Sequence, residues 1–130
     1  MTLETGRPEE PRRLLFVYGT LKRGGENHSR LRSQQLLGAA RTAAGYRLYR
    51  LDGYPGMVAD GSHAGGVSGE VWAVDAATLA ALDLFEGVDE GLYERVPVRL
   101  LPPFDAPPVQ TYLYLRDLTG RVPLGGDWPV

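Results

Sequence analysis

A short apolar run that ends in a glycine-rich loop is the feature that most constrains how this chain folds. Residues 14–17 read Leu-Leu-Phe-Val, which is typical of a strand buried on both faces. Gly19 follows Tyr18 and lets the backbone turn where a side chain would clash. N–H groups exposed beyond a strand end suit a carboxylate or a developing oxyanion. The segment therefore predicts an oxyanion or anion cradle that begins at Gly19, with a hairpin turn without a ligand as the alternative.

Phosphate binding is not predicted for this loop. The spacing of Gly19 and Gly24 is that of a nucleotide P-loop, but such a motif ends in Gly-Lys-Ser or Gly-Lys-Thr. Here Gly24 is followed by Gly25-Glu26. The nearby basic pair Lys22-Arg23 is interpreted as part of a solvated loop.

Composition narrows the possible partners further. The formal net charge is −2, with acidic and basic residues interspersed, so a small-molecule partner is favoured over nucleic acid. Cysteine is absent, and His28 and His63 have no carboxylates at a metal-binding spacing, so we expect no metal site. No apolar stretch approaches about 20 residues and the N-terminus lacks an apolar signal centre. We therefore expect no membrane partner and a cytoplasmic location.

The pattern along the chain predicts one α+β domain. Residues 1–12 are interpreted as a flexible lead-in, residues 13–116 as the folded domain and residues 117–130 as an irregular tail. Many strands with few helices and no βαβ rhythm indicate a mixed, mostly antiparallel sheet curled into a small barrel with one or two flanking helices. Strands are expected over 14–17, 45–51, 57–59, 67–74, 92–100 and 109–116.

Two helices are predicted to flank this sheet. The clearer one covers residues 76–86, with Asp75 as its N-cap and Gly87 where a left-handed turn ends it. A shorter helix is expected over residues 27–37.

Glu86 occupies a costly position at the end of the clearer helix. Leu79, Leu82 and Glu86 are spaced i, i+3 and i+7, so this carboxylate continues the stripe that packs inward. Desolvation and the negative end of the helix dipole both favour the protonated acid, which raises its pKa and suits a proton shuttle near neutral pH. The alternative is a glutamate that tilts into water or pairs with Arg95. Asp83 projects to another side, where a solvated role is sufficient.

Five segments carry a family signature through their order and spacing. They are Val17-Tyr18-Gly19-Thr20-Leu21-Lys22-Arg23-Gly24, Asn27-His28, Gly69-Glu70-Val71-Trp72-Ala73-Val74-Asp75, Leu82-Asp83-Leu84-Phe85-Glu86 and Leu92-Tyr93-Glu94-Arg95. Together they resemble the γ-glutamylcyclotransferase-like family over most of residues 13–116. The Tyr-Gly-Thr-Leu-Lys-Arg-Gly form looks closest to the γ-glutamylamine cyclotransferase branch.

The resemblance implies a small barrel-like α+β enzyme that converts a γ-glutamyl amine or γ-glutamyl amino acid into 5-oxoproline and the free amine, without cofactor or metal. The substrate's α-amine attacks its own γ-carbonyl, so the protein need supply no nucleophile. The family's catalytic glutamate falls on Glu86, which would act as general base and then general acid. Its substrate-binding residues fall on Tyr18, Gly19, Thr20, Leu21 and Tyr114.

Two other functions are compatible with the same residues. One is a non-catalytic domain on this fold that binds a γ-glutamyl group or another small carboxylate. The other is a hydrolase that uses water as its nucleophile and releases free glutamate. The sequence predicts neither the natural amine nor the oligomeric state.

Overall fold

The computed structural model describes residues 12–130, and these residues form an α+β domain as predicted. The lead-in expected over residues 1–12 lies outside the described residues apart from its last residue. The strands are β1 (Arg13–Val17), β2 (Gln35–Arg41), β3 (Tyr46–Arg50), β4 (Pro55–Ala59), β5 (Ser68–Val74), β6 (Tyr93–Pro97), β7 (Gln110–Tyr114) and β8 (Val122–Pro123). The helices are α1 (Ala76–Phe85) and the short 3-10 helices His28–Leu31 and Val88–Glu90.

The strands are divided between two sheets. Five strands follow the order β2-β5-β1-β7-β6, in which β1 and β7 are parallel and the other neighbours are antiparallel. The remaining strands form an antiparallel sheet in the order β4-β3-β8. An antiparallel bridge between Thr42 and Leu100 joins the two edges of the larger sheet at one end. Among residues 12–130 the strands thus form one five-stranded sheet and one three-stranded sheet.

The predicted helix over residues 27–37 is wrong. Only His28–Leu31 are helical, in a 3-10 turn, and β2 begins at Gln35. Ser33 adopts a left-handed backbone with φ of 66°, which ends the helical turn. The leucines and alanines of β2 favour a helix intrinsically, but this edge strand pairs along its length with β5, and the tertiary pairing prevails.

Strand β1 is buried on both faces, as the sequence predicts. Leu15 and Val17 contribute to one hydrophobic cluster, together with Leu79 and Leu82 of α1. Phe16 and the following Tyr18 contribute to the other cluster. Because side chains alternate across a strand, β1 joins the two halves of the core and brings the loop after it to the middle of the molecule.

Helix α1 begins at the predicted residue and ends one residue earlier than predicted, at Phe85. Asp75 is its N-cap, and its side-chain oxygen accepts a hydrogen bond of 2.7 Å from the Thr78 amide. Gly87 follows the helix in a left-handed conformation with φ of 66°, and its amide donates to the Leu84 carbonyl at 3.1 Å. Glu86 is therefore held at the helix C-cap.

No helix within residues 12–130 is long and apolar enough to span a membrane.

The C-terminal residues 117–130 have little regular structure but pack against the domain. Strand β8 pairs with Tyr49 and Arg50 of β3. The Trp128 side chain is buried in one of the two core clusters. The Ser68 amide donates to the Gly126 carbonyl at 2.7 Å. This segment therefore completes the core beneath the loop that follows β1.

Candidate active site

One cavity of about 420 Å³ lies where β1, α1 and both sheets meet. Its size is that of a small-molecule site. The connection between β3 and β4 contributes Asp52, Gly53, Tyr54 and Pro55. The other walls come from residues 16–21, 26–27, 85–86 and 92–93, and from Tyr112. The cavity therefore brings Glu86 to the same space as Tyr18, Gly19, Thr20 and Leu21.

The loop after β1 approaches the opposite wall of the cavity too closely for a side chain at position 19. A Cβ atom added to Gly19 would lie 2.7 Å from Cγ of Pro55. The loop is closed by hydrogen bonds from the Lys22 amide to the Gly19 carbonyl at 3.1 Å and from the Asn27 amide to the Thr20 carbonyl at 2.9 Å. Glycine at position 19 thus fits a close backbone approach, as the sequence predicts.

Three consecutive amides of this loop have no acceptor among residues 12–130. They are the N–H groups of Gly19, Thr20 and Leu21. Their residues line the cavity, so these donors can serve a ligand with a carboxylate or an oxyanion.

The loop is fixed from behind by Glu70 of β5. Its carboxylate accepts hydrogen bonds from the amide and Nε of Arg23, at 3.1 and 3.0 Å, and from Nε1 of Trp72 at 3.1 Å. Burial acts to raise the pKa of Glu70, but these hydrogen bonds outweigh it and hold the pKa below its ordinary value. Glu70 is therefore an ionised anchor for the loop.

The interpretation of Lys22 as a solvated residue is wrong. Its side chain is buried, and Nζ donates to the Trp128 carbonyl at 2.6 Å and to Asp127 Oδ1 at 3.3 Å. Arg23 beside it is exposed and pairs with Glu70. The sequence holds no local signal for this difference, because the partners of Lys22 lie more than 100 residues away along the chain.

Glu86 is half-buried at the cavity wall. Desolvation raises its pKa from 4.5 to about 7, although the charge of Arg30 acts in the opposite direction. The guanidinium of Arg30 lies over the ring of Phe85, 3.7 Å from its centroid. Arg95, the partner considered for Glu86, pairs instead with Asp83 through Nε and Oδ1 at 2.8 Å. The carboxylate therefore combines burial with a pKa near neutrality.

Two tyrosines of the cavity are held by hydrogen bonds to backbone atoms. The hydroxyl of Tyr18 donates to the Tyr112 carbonyl at 2.7 Å and accepts from the Met57 amide at 3.2 Å. The hydroxyl of Tyr93 donates to the Pro55 carbonyl at 2.9 Å. Burial raises the pKa of both phenols above the ordinary value, so they stay protonated and rigid.

Strand β7 contributes Tyr112 to the cavity wall. Tyr114 is buried against Tyr93, with ring centroids 5.4 Å apart in an edge-on arrangement. Both β7 tyrosines are on one strand face, as the sequence predicts. The two-residue alternation of side chains along a strand places both on that face but does not indicate which of them reaches the cavity. A binding role for Tyr114 stays a prediction, and Tyr112 and Tyr93 are cavity residues that the predicted site did not include.

Within the described part of the chain, neither histidine belongs to a group of side chains that could hold a metal ion. His28 Nδ1 is 3.0 Å from the Leu21 carbonyl, and its ring packs against Trp72 with centroids 5.3 Å apart. Within residues 12–130 no group of three His, Asp or Glu side chains is placed to hold a metal ion. His28 thus serves to hold the loop in this structure.

The fold and the site together define an α+β protein with a cavity of the size of a small-molecule site. A desolvated carboxylate and a loop rich in hydrogen-bond donors share this cavity. The family model described as gamma-glutamyl cyclotransferase, AIG2-like, matches residues 15–130. The chain belongs to this family, and the match extends through the C-terminal residues that complete the core.

Relatives in bacteria and animals support this membership. A Vibrio cholerae protein, named provisionally as a gamma-glutamylcyclotransferase, is 41% identical over 115 residues, which cover 88% of this chain and 94% of that protein. Human gamma-glutamylaminecyclotransferase is 39% identical over 124 residues, covering 79% of this chain and 78% of its own. A mouse AIG2-like protein of known structure superposes with a TM-score of 0.69 at 27% identity, covering 80% of this chain and 78% of that chain.

Proposed function

We propose that this protein is a γ-glutamyl cyclotransferase that converts a γ-glutamyl amine into 5-oxoproline and the free amine. The observation that carries the proposal is the position of Glu86: a carboxylate with a pKa of about 7 that lines the same cavity as a loop with three amides that find no acceptor among residues 12–130. Membership of the gamma-glutamyl cyclotransferase family supports the same reaction. Human and Niallia circulans relatives are named for activity on γ-glutamylamines and on γ-L-glutamyl-butirosin B, respectively.

In the proposed reaction the substrate is both nucleophile and electrophile. Its α-amine nitrogen attacks its own γ-carbonyl carbon, which closes a five-membered ring and gives a tetrahedral intermediate. Glu86 takes the proton that the attacking nitrogen loses. When the bond from the γ-carbon to the leaving nitrogen breaks, Glu86 returns the proton to that nitrogen, so the carboxylate is regenerated and no cofactor is needed.

The pKa of Glu86 suits both transfers. An α-amino group has a pKa of about 8. Moving its proton to a carboxylate with a pKa of about 7 is uphill by about 1.4 kcal/mol. For a glutamate at the ordinary value of 4.5 the same transfer would be uphill by about 5 kcal/mol. Burial of Glu86 therefore makes its carboxylate a better base, and the protonated carboxylic acid can still donate the proton to the leaving nitrogen.

The loop supplies the electrostatic part of the proposal. The amides of Gly19, Thr20 and Leu21 would bind the substrate's carboxylate or the oxyanion of the tetrahedral intermediate. One donor of this kind contributes about 3 kcal/mol to transition-state stabilisation. Tyr18 is rigidly held next to these amides, and we propose Tyr18 and Tyr114 as residues that shape the binding site, Tyr114 through its contact with Tyr93.

The test is a product assay with γ-glutamyl-ε-lysine, γ-glutamyl dipeptides and glutathione. We expect 5-oxoproline from at least one of them, and loss of turnover by at least 100-fold in Glu86→Gln with the fold intact. Glu94→Gln removes an exposed glutamate of β6 and is the matched control. Release of free glutamate would indicate a hydrolase, binding without turnover would indicate a non-catalytic domain, and full activity of Glu86→Gln would remove Glu86 from the mechanism.

A further inference from the structure

Asp83 connects the last turns of α1 to two strands of the larger sheet. Its Oδ1 and Oδ2 accept hydrogen bonds from Nε and Nη2 of Arg95 on β6, at 2.8 and 3.0 Å. Its Oδ1 also accepts from the hydroxyl of Tyr112 on β7 at 2.7 Å. The ion pair between Asp83 and Arg95 is bidentate, which is the geometry that holds an arginine most firmly. Asp83 precedes Glu86 by three residues on the helix, so the two residues are one turn apart. Asp83 faces strands β6 and β7, whereas Glu86 lines the cavity.

Arg95 is fully engaged by this arrangement. Its third nitrogen, Nη1, donates to Gln110 Oε1 at 2.5 Å, in addition to the two bonds to Asp83. The guanidinium therefore makes no ion pair with Glu86, although it lies against the neighbouring carboxylate of the same helix. This ion pair is partly buried on both sides, with side-chain exposures of 23% and 26%.

Within residues 12–130, Arg30 is the cation whose charge lowers the pKa of Glu86. Arg30 lies over Phe85, and its charge only partly opposes the effect of burial. The other titratable groups that face Glu86 from packed elements are phenols: Tyr18, Tyr54, Tyr93 and Tyr112.

We propose that Asp83 is a positioning residue for the proposed reaction: it holds the guanidinium of Arg95 and so prevents this cation from pairing with Glu86. Residues three apart on a helix have Cβ atoms about 5–6 Å apart, a distance that a released arginine side chain can span. An opposite charge at 4–6 Å lowers a carboxyl pKa by about 1–3 units. Without Asp83, Glu86 would become a weaker base that is ionised to a greater extent near neutral pH.

The test is the pH dependence of kcat/KM in Asp83→Asn, which keeps the side-chain shape and removes the charge. For the wild type we expect the acidic limb to have its midpoint near 7, the pKa of Glu86. In Asp83→Asn the midpoint should fall by at least about one pH unit. Glu94→Gln, which removes an exposed charge beside Arg95, should leave the midpoint unchanged.

Two further variants separate this effect from loosening of the helix. Arg95→Gln also breaks the ion pair but removes the cation, so its midpoint should not fall. The double variant Asp83→Asn with Arg95→Gln should return to a midpoint near that of the wild type. A fall of the midpoint in Arg95→Gln, or no fall in folded Asp83→Asn, would overturn the proposal.

Because this inference depends on the proposed function, a readout that needs no activity is included. With 13C-labelled glutamate side chains, NMR follows the Glu86 carboxyl directly, and Glu86→Gln assigns its signal. A lower midpoint in Asp83→Asn supports the role of Asp83 even if no substrate is turned over, in which case only the proposed function fails. An unchanged midpoint in an active enzyme contradicts the role of Asp83 alone.

Discussion

Glu86 should make the protein less stable as the pH rises, and its replacement by glutamine should remove this dependence. Glutamine resembles the protonated carboxylic acid in size and polarity but does not ionise. In the folded protein the pKa of Glu86 is raised from 4.5 to about 7, because burial disfavours the charged form. Between these two values the folded state keeps a proton that the unfolded state has released, so the free energy of unfolding falls with increasing pH.

The magnitude follows from the pKa difference. A difference of about 2.5 units at about 1.4 kcal/mol per unit gives about 3 kcal/mol, fully expressed above pH 7 and absent below pH 4.5. Glu86→Gln should therefore be more stable than the wild type by up to about 3 kcal/mol at pH 8 and equally stable at pH 4. For a domain of this size, 3 kcal/mol corresponds to about 10 °C in Tm.

Urea unfolding of both proteins at several pH values between 4 and 8 measures this difference. The exposed Glu94→Gln variant should give no comparable gain, which controls for the change in net charge. If Glu86→Gln has the same stability relative to the wild type at pH 4 and pH 8, then the carboxylate is not desolvated. That result would also remove the physical reason for choosing Glu86 as a base near neutral pH.

Two more substitutions test the loop after β1. Gly19→Ala places a methyl group 2.7 Å from Cγ of Pro55, so we expect a loss of about 1–3 kcal/mol in stability and a higher KM; unchanged urea unfolding and KM would refute the close approach. Glu70→Gln weakens the hydrogen bonds from Arg23 and Trp72, so we expect a loss of about 1–3 kcal/mol near pH 7. Because the pKa of Glu70 is lowered in the folded state, that loss should shrink as the pH falls through this lowered pKa, and a pH-independent loss would contradict it.

Elements with strong local patterns could be predicted from the sequence. The continuous apolar run before Gly19 gave a strand buried on both faces, and Asp75 and Gly87 marked the ends of α1. The helical spacing of Leu79, Leu82 and Glu86 placed the carboxylate toward the interior, because a helix repeats every 3.6 residues whatever surrounds it. These features depend on neighbours within one or two turns of the chain.

Features that depend on distant partners could not be predicted in this way. Strand β2 carries helix-forming residues and is extended because β5 lies beside it. The burial of Lys22 depends on the Trp128 carbonyl. Tyr112 and Tyr114 share one strand face, and only the tertiary structure shows that Tyr112 lines the cavity and that Tyr114 packs edge-on against Tyr93.

The sequence by itself determined that a glycine-gated loop follows a buried strand and that an inward glutamate ends a capped helix, since both are consequences of local geometry. Only the tertiary structure decided that these elements face one cavity, and that Arg95 pairs with Asp83 instead of Glu86. The physical reason is that the pKa of a carboxylate depends on which charges and how much water surround it, and those neighbours come from other strands.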